Sequence, residues 1–127
     1  MTTQTNEQLT GLFKALMHPV RLEILDILRV GEECVCHMEA HLGYRQAYIS
    51  QHLTVLREAG LVEDRREGWN IYYRVIEPRV FTLVDLARMM AGMSTAITPR
   101  PRSAVCPCPK CSAARSVIPE SAITLST

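Results

Sequence analysis

The apolar rhythm of the chain changes at Gly60, and that change restricts the possible folds more than any other feature of the sequence. Upstream, in YRQAYISQHLTVLREAG (44–60), Ile49, Leu53 and Leu56 recur at helical spacing and line one side. Gln46, Ser50, Gln51 and Thr54 are left to face outward. Downstream, LVEDRR and WNIYYRVI carry β-branched and aromatic residues around a turn-prone Glu67-Gly68, which predicts a two-stranded hairpin. A hairpin alone is marginally stable, so it must lean on the helices.

The segments before residue 44 are helical in period. In NEQLTGLFKALMH, Leu9, Leu12, Phe13, Leu16 and Met17 form an apolar stripe. Pro19 can open a second helix, PVRLEILDILRVG, which Gly31 closes. A third short helix runs from Cys34 to Gly43, where a positive φ makes the turn. After the hairpin, PRVFTLVDLARMMAGM predicts a last helix from Pro78, with Val80, Phe81, Leu83, Val84, Leu86, Ala87, Met89, Met90 and Met93 on more than one stripe. That excess of apolar surface predicts a second buried face and hence a homodimer. Beyond Thr98 the chain is rich in proline, serine and alanine and has no period, so residues 99–127 are expected to be a flexible cysteine-containing tail on a domain spanning 1–98.

A chain of 127 residues, 47% apolar, fits one compact domain plus such a tail. The start MTTQTNEQLT lacks an apolar core, and the most apolar late stretch is interrupted by Asp85 and Arg88. A cytoplasmic protein without membrane attachment is therefore expected. In that compartment five cysteines argue for reduced thiols, hence metal binding or redox chemistry rather than a disulfide framework. A net charge of +1 favours neither nucleic acid nor membrane. No nucleophile-and-base constellation is visible, so an enzyme is not expected.

The cysteines fall in two clusters, Cys34 and Cys36 in ECVCH, and Cys106, Cys108 and Cys111 in VCPCPKCS. Residues two apart lie about 200° around a regular helix, so Cys34 and Cys36 cannot grip one ion from a helix interior. They can at its first turn, with Cys34 as a cap outside the helix and Cys36 just inside, where the helix dipole favours thiolate. The competing reading is a pair of small buried hydrophobes. The tail cysteines alternate with prolines, have no evident core role, and include a C-x-x-C spacing suited to an ion. A thioredoxin-like role for that spacing would need a βαβ context, which is absent.

Helix, helix, helix-turn-helix, β-wing and dimerising helix make a winged helix-turn-helix, mainly α with a β-hairpin wing. Over roughly residues 7–97 the chain resembles the ArsR/SmtB metalloregulatory repressors, through LFKALMHPVRLEILDIL, ECVCHMEAHLG, YISQHLTVLREAGLV and REGWNIYYRV. The resemblance implies a homodimer that binds an inverted-repeat operator in double-stranded DNA and dissociates on binding metal. By position it makes Arg45 to Leu56 the recognition helix and Arg65 to Tyr73 the wing. Arg45 and Ala47 stand where the family has hydroxyl residues, so operator sequence does not transfer.

The residue types agree with DNA reading. Gln46 and Gln51 carry amides able to pair with adenine edges, Tyr48, Ser50 and Thr54 can reach bases or phosphates, and Arg65 and Arg66 suit wing contacts. The ECVCH placement resembles the arsenic-repressor branch, with Cys34, Cys36, Cys106, Cys108 and Cys111 as the ligand set. A site of thiolates selects thiophilic species, As(III) or Sb(III) first and Cd(II), Pb(II) or Zn(II) next. The family's other zinc site, on the last helix, is not expected because that helix offers Asp85 but no histidine. His37 is a weaker ligand candidate and is expected at the surface, and His52 is expected to pack between helices. The rival reading is a thiol redox or persulfide-sensing repressor of the same fold.

Overall fold

The computed structural model describes residues 2–93, with side chains from residue 5 onward. The expected tail, with Cys106, Cys108 and Cys111, lies outside the described residues. The order is α1 (Thr2–Leu16), α2 (Pro19–Ile27), a 3-10 turn (Leu28–Val30), β1 (Glu33–Cys34), α3 (Val35–Leu42), α4 (Gln46–Glu58), β2 (Val62–Glu67), β3 (Asn70–Val75) and α5 (Arg79–Met90). It is the expected winged helix-turn-helix, mostly helical with a small antiparallel sheet.

Local chemistry sets the boundaries. Pro19 occupies the first turn of α2, and His18 caps it by accepting a hydrogen bond from the Val20 N–H at Nδ1, 3.1 Å. Gly43 ends α3 with φ 78, and its N–H returns to the Glu39 carbonyl at 2.9 Å. Arg45 precedes α4 with no side-chain cap, as its residue type foretells. The apolar side of α4 is the centre of the core: Ile49, Leu53 and Leu56 are fully buried, beside Ile24 and Leu25 of α2 and Met38 of α3. Each such side chain contributes about 2 kcal/mol of burial, so α4 is fixed from its inner face while its outer face stays free.

The sheet differs from the expected hairpin in two respects. Three strands lie in the order β1-β3-β2, because Glu33 and Cys34 pair with Tyr73 and Tyr72 on the far side of β3. A two-residue strand has no pattern to recognise, so the third strand was not foreseeable from period. The turn is Gly68-Trp69 rather than Glu67-Gly68: Glu67 pairs with Asn70, and Gly68 takes the positive φ of 60 at the first loop position. Trp69 is thereby left wholly exposed at the wing tip.

The last helix buries Val80 and Val84 and exposes Leu86, Met89 and Met90. On α1 Leu9 and Phe13, and just after it Met17, are also exposed. The unburied apolar face therefore extends over both terminal helices, and α1 adds residues that the excess on α5 alone did not indicate.

Candidate nucleic-acid interface and thiol site

On the reading head, Arg45, Gln46 and Gln51 are exposed on the outer face of α4. Ser50 is half-buried, and the Thr54 hydroxyl donates to its carbonyl at 2.9 Å, so Thr54 is turned back on its own helix. Tyr48 is partly exposed but packs edge-on against His52, ring centroids 4.7 Å apart, and against Tyr44 at 5.2 Å. His52 is buried, as expected of a packing residue. Its Nδ1 accepts from Arg21 Nε at 3.2 Å, and its ring lies 4.3 Å from His18. Burial first, and then the charges of His18 and Arg21, push the His52 pKa down.

The wing arginines differ in how they are engaged. Arg66, paired through its backbone with Ile71, is exposed, and its guanidinium takes part in none of the side-chain ion pairs that hold Arg57, Arg65 and Arg74. Arg65 donates Nη2 to Glu32 at 2.6 Å and Nε to the same carboxylate at 3.1 Å, and gives Nη1 to Glu67 at 2.8 Å. Its guanidinium lies 4.8 Å from the Tyr72 ring centre. These hydrogen bonds, that to Glu32 foremost, raise its pKa. Arg74 is paired with Glu63, and Arg57 with Asp64 at 3.4 Å. Most cations of this face are thus committed within the chain, a fact that their sequence positions do not disclose.

Cys34 and Cys36 meet at the head of α3. Cys34 is the N-cap, with extended backbone (φ −83, ψ 155), and its sulfur accepts the His37 N–H at 3.1 Å. Cys36 is half-buried just inside the helix, its Sγ 4.0 Å from Asn70 Oδ1. The two sulfurs are joined in a disulfide across a Cα–Cα separation of 5.3 Å. The expectation of free thiols is corrected here: an extended cap followed by the first helical turn swings both Cβ atoms to one side, within the ordinary range of a disulfide. The joined pair has no thiolate, so ligation of an ion requires its reduced form.

Cys34 is fully buried against Tyr72, with Cys36 and Ala40 alongside. His37 is not at the surface as expected: it is buried, and its ring stacks on His41 at 5.5 Å. As a donor set, two sulfurs at a helix N-terminus suit a soft ion but leave a trivalent arsenic one sulfur short. No group of three or more metal-ligating side chains is assembled among the described residues. On α5, Asp85 is taken by Arg29, with contacts of 2.5 and 3.1 Å, while Arg88 grips Asp26 at 2.7 Å. Asp85 is spent on tying α5 to the 3-10 turn after α2, and Arg88 ties α5 to α2 itself. Among the described residues, no helix is long and apolar enough to cross a membrane.

A three-helix core, a helix-turn-helix with a polar outer face and a flanking β-wing define a winged-helix transcriptional regulator. Residues 18–64 match the model for the bacterial regulatory protein, arsR family. The chain is 46% identical over 74 residues to the biofilm growth-associated repressor of Agrobacterium fabrum, covering 58% of this chain and 63% of that one. It is 42% identical over 85 residues to the like-named protein of Xylella fastidiosa, covering 67% and 74%. The arsenic resistance transcriptional regulator ArsR1 of Pseudomonas putida is 45% identical over 75 residues, 58% of each chain. A homodimeric winged helix-turn-helix DNA-binding domain from Mycobacterium bovis superimposes with a TM-score of 0.64 at 35% identity, covering 72% of this chain and 84% of that one. The chain belongs to the ArsR family of bacterial transcriptional repressors; it is a regulator and not an enzyme.

Proposed function

We propose that the chain represses transcription as a homodimer bound to an inverted-repeat operator in double-stranded DNA, and releases it when a thiophilic ion is captured by Cys34 and Cys36. Gln46, Ser50 and Gln51 read base edges from α4, Arg45, Tyr48 and Arg66 hold the backbone, and Arg65 and Thr54 do so when freed, Arg65 from its carboxylates and the Thr54 hydroxyl from the Ser50 carbonyl. Residues 1–98 form the DNA-binding and dimerisation domain. The tail, 99–127, supplies the missing sulfur from among Cys106, Cys108 and Cys111. The observation that carries this reading is the meeting of Cys34 and Cys36 at the head of α3, between the recognition helix and the wing. As(III) or Sb(III) is the inducer that a three-thiolate set fits best, ahead of Cd(II), Pb(II) or Zn(II), and the likeness to an arsenic resistance regulator supports that order. Release requires the ion to favour the DNA-incompetent state by about 1–3 kcal/mol, or five- to 150-fold.

A second reading is favoured by one observation, the disulfide between Cys34 and Cys36. In it the two thiols give two electrons and two protons to a disulfide oxidant, which leaves as two thiols, and the bonded pair is the induced state. The test uses the reduced full chain on a duplex that it selects from a random-sequence library. Arsenite, antimonite, cadmium, lead, zinc and oxidised glutathione are titrated in separate experiments. Arsenite is expected to release DNA from the wild type but not from Cys34→Ser or Cys36→Ser, whose hydroxyls lack the soft donor. Release by oxidised glutathione with no response to any ion would replace the first reading by the second.

A further inference from the structure

The cysteine segment is tied to the wing at three points. Glu33 and Cys34 form β1, paired to β3 opposite Tyr73 and Tyr72. Cys36 faces Asn70, which opens β3. Glu32, two residues before Cys34, holds Arg65 of β2 through a two-bond carboxylate–guanidinium contact, 2.6 and 3.1 Å. With Nη1 given to Glu67, every nitrogen of Arg65 is engaged by a carboxylate of its own chain. Three of the five N–H donors are used in this way, and the Nε–Nη2 edge is taken by Glu32, so a DNA phosphate that grips the guanidinium by that edge has to displace Glu32.

We propose that Glu32 is a positioning residue that competes with operator phosphate for Arg65, so that the state of the cysteine pair sets operator affinity through the wing. The proposal rests on the reading of the chain as a thiol-controlled repressor. Glu67 sits on the same strand as Arg65 and moves with it, so that contact carries no information about the cysteines. Glu32 stands at the entry to β1, and any backbone change at Cys34 carries its carboxylate toward or away from Arg65. A phosphate offers the guanidinium the same two-pronged acceptor geometry. A half-exposed ion pair is weak in water, which makes the exchange close to balanced and easily tipped.

Operator affinity of the full chain, measured across a salt series on the library-selected duplex, tests this with Glu32→Gln, Glu32→Asp, Arg65→Gln and the Glu32→Gln/Arg65→Gln double variant. Freeing Arg65 adds one phosphate contact per wing, so Glu32→Gln should steepen the slope of log affinity against log salt by about 0.9 for each engaged wing. It should bind more tightly at low salt and lose less affinity to whichever of arsenite or oxidised glutathione releases the wild type. Glu32→Asp, which keeps the carboxylate, should restore the wild-type slope, and the double variant should show no steepening. An unchanged slope in Glu32→Gln overturns the proposal, as does a steepening that survives in the double variant. A wild type that responds, with Glu32→Gln responding equally, overturns the Glu32 link alone. A wild type that responds to neither effector overturns the reading beneath it.

Discussion

If the exposed face of α5 is the dimer interface, Leu86→Glu should break the dimer without unfolding the subunit. Leu86 is 54% exposed, so about half of its surface remains to be covered. Full burial of a leucine is worth about 1.5–3 kcal/mol, and symmetry counts the remaining half twice. The lost burial alone then comes to about 1.5–3 kcal/mol, a roughly ten- to 150-fold weaker dimer. Burying two carboxylates near a two-fold axis adds to that loss. Leu83 is a poorer choice because it shares a groove with Leu12 and Leu61 and serves the fold as well. Sedimentation equilibrium at micromolar concentration, with far-ultraviolet circular dichroism as the fold control, measures the effect. Met89→Glu, at a position 62% exposed, should behave alike. Wild-type dimerisation by both variants would refute the assignment of this face.

Three further outcomes follow from local chemistry. Because His52 is held below its ordinary pKa, the unfolded chain takes up a proton first, so its contribution is complete above about pH 6.5 and is lost as pH falls. Urea denaturation at pH 7.5 and 5.5 should show a smaller loss of stability in His52→Gln than in the wild type. Arg29 holds the Asp85 carboxyl below its usual value, so that pair stabilises above about pH 4 and fades below it. Asp85→Asn should therefore cost about 1 kcal/mol at pH 7, and progressively less as pH falls below about 4 in the same assay. Nothing lies within 4 Å of a Cβ built on Gly43, so Gly43→Ala should cost only the left-handed backbone penalty, about 1 kcal/mol. Calorimetry should then show Tm lower by about 4–8 °C.

What the sequence disclosed was whatever repeats at short range. The stripe of Ile49, Leu53 and Leu56, the break at Gly60, the turn at Gly43 and Pro19 at a helix start all depend on neighbours within a few residues. The cap position of Cys34 was legible for the same reason. The contacts that organise the site are long-range: Glu32 meets Arg65 across 33 positions, and Cys36 meets Asn70 across 34. No local pattern encodes such pairs, and a two-residue β1 has no period of its own. His37 was misplaced because its burial depends on where α3 lies against its neighbours, not on its type.

The disulfide and the ion site make the same demand on the fold, two sulfurs brought to one point, so the convergence of Cys34 and Cys36 does not choose between them. Sulfur count does. Closing a disulfide needs two sulfurs, and both stand within the described domain. Trivalent arsenic takes three, and on the proposed reading the third comes from Cys106, Cys108 or Cys111. A chain ending at residue 98 should therefore keep operator binding, which uses α4 and the wing. It should also keep any response to oxidised glutathione, but lose most of its response to arsenite. Restoring the tail with all three cysteines changed to serine should leave arsenite as ineffective as the truncation does. If the shortened chain releases DNA at the same arsenite concentration as the full one, the tail is no ligand and the shared site is wrong. If it loses the response to oxidised glutathione instead, the reactive pair is not Cys34 and Cys36 alone, and the redox reading must include the tail.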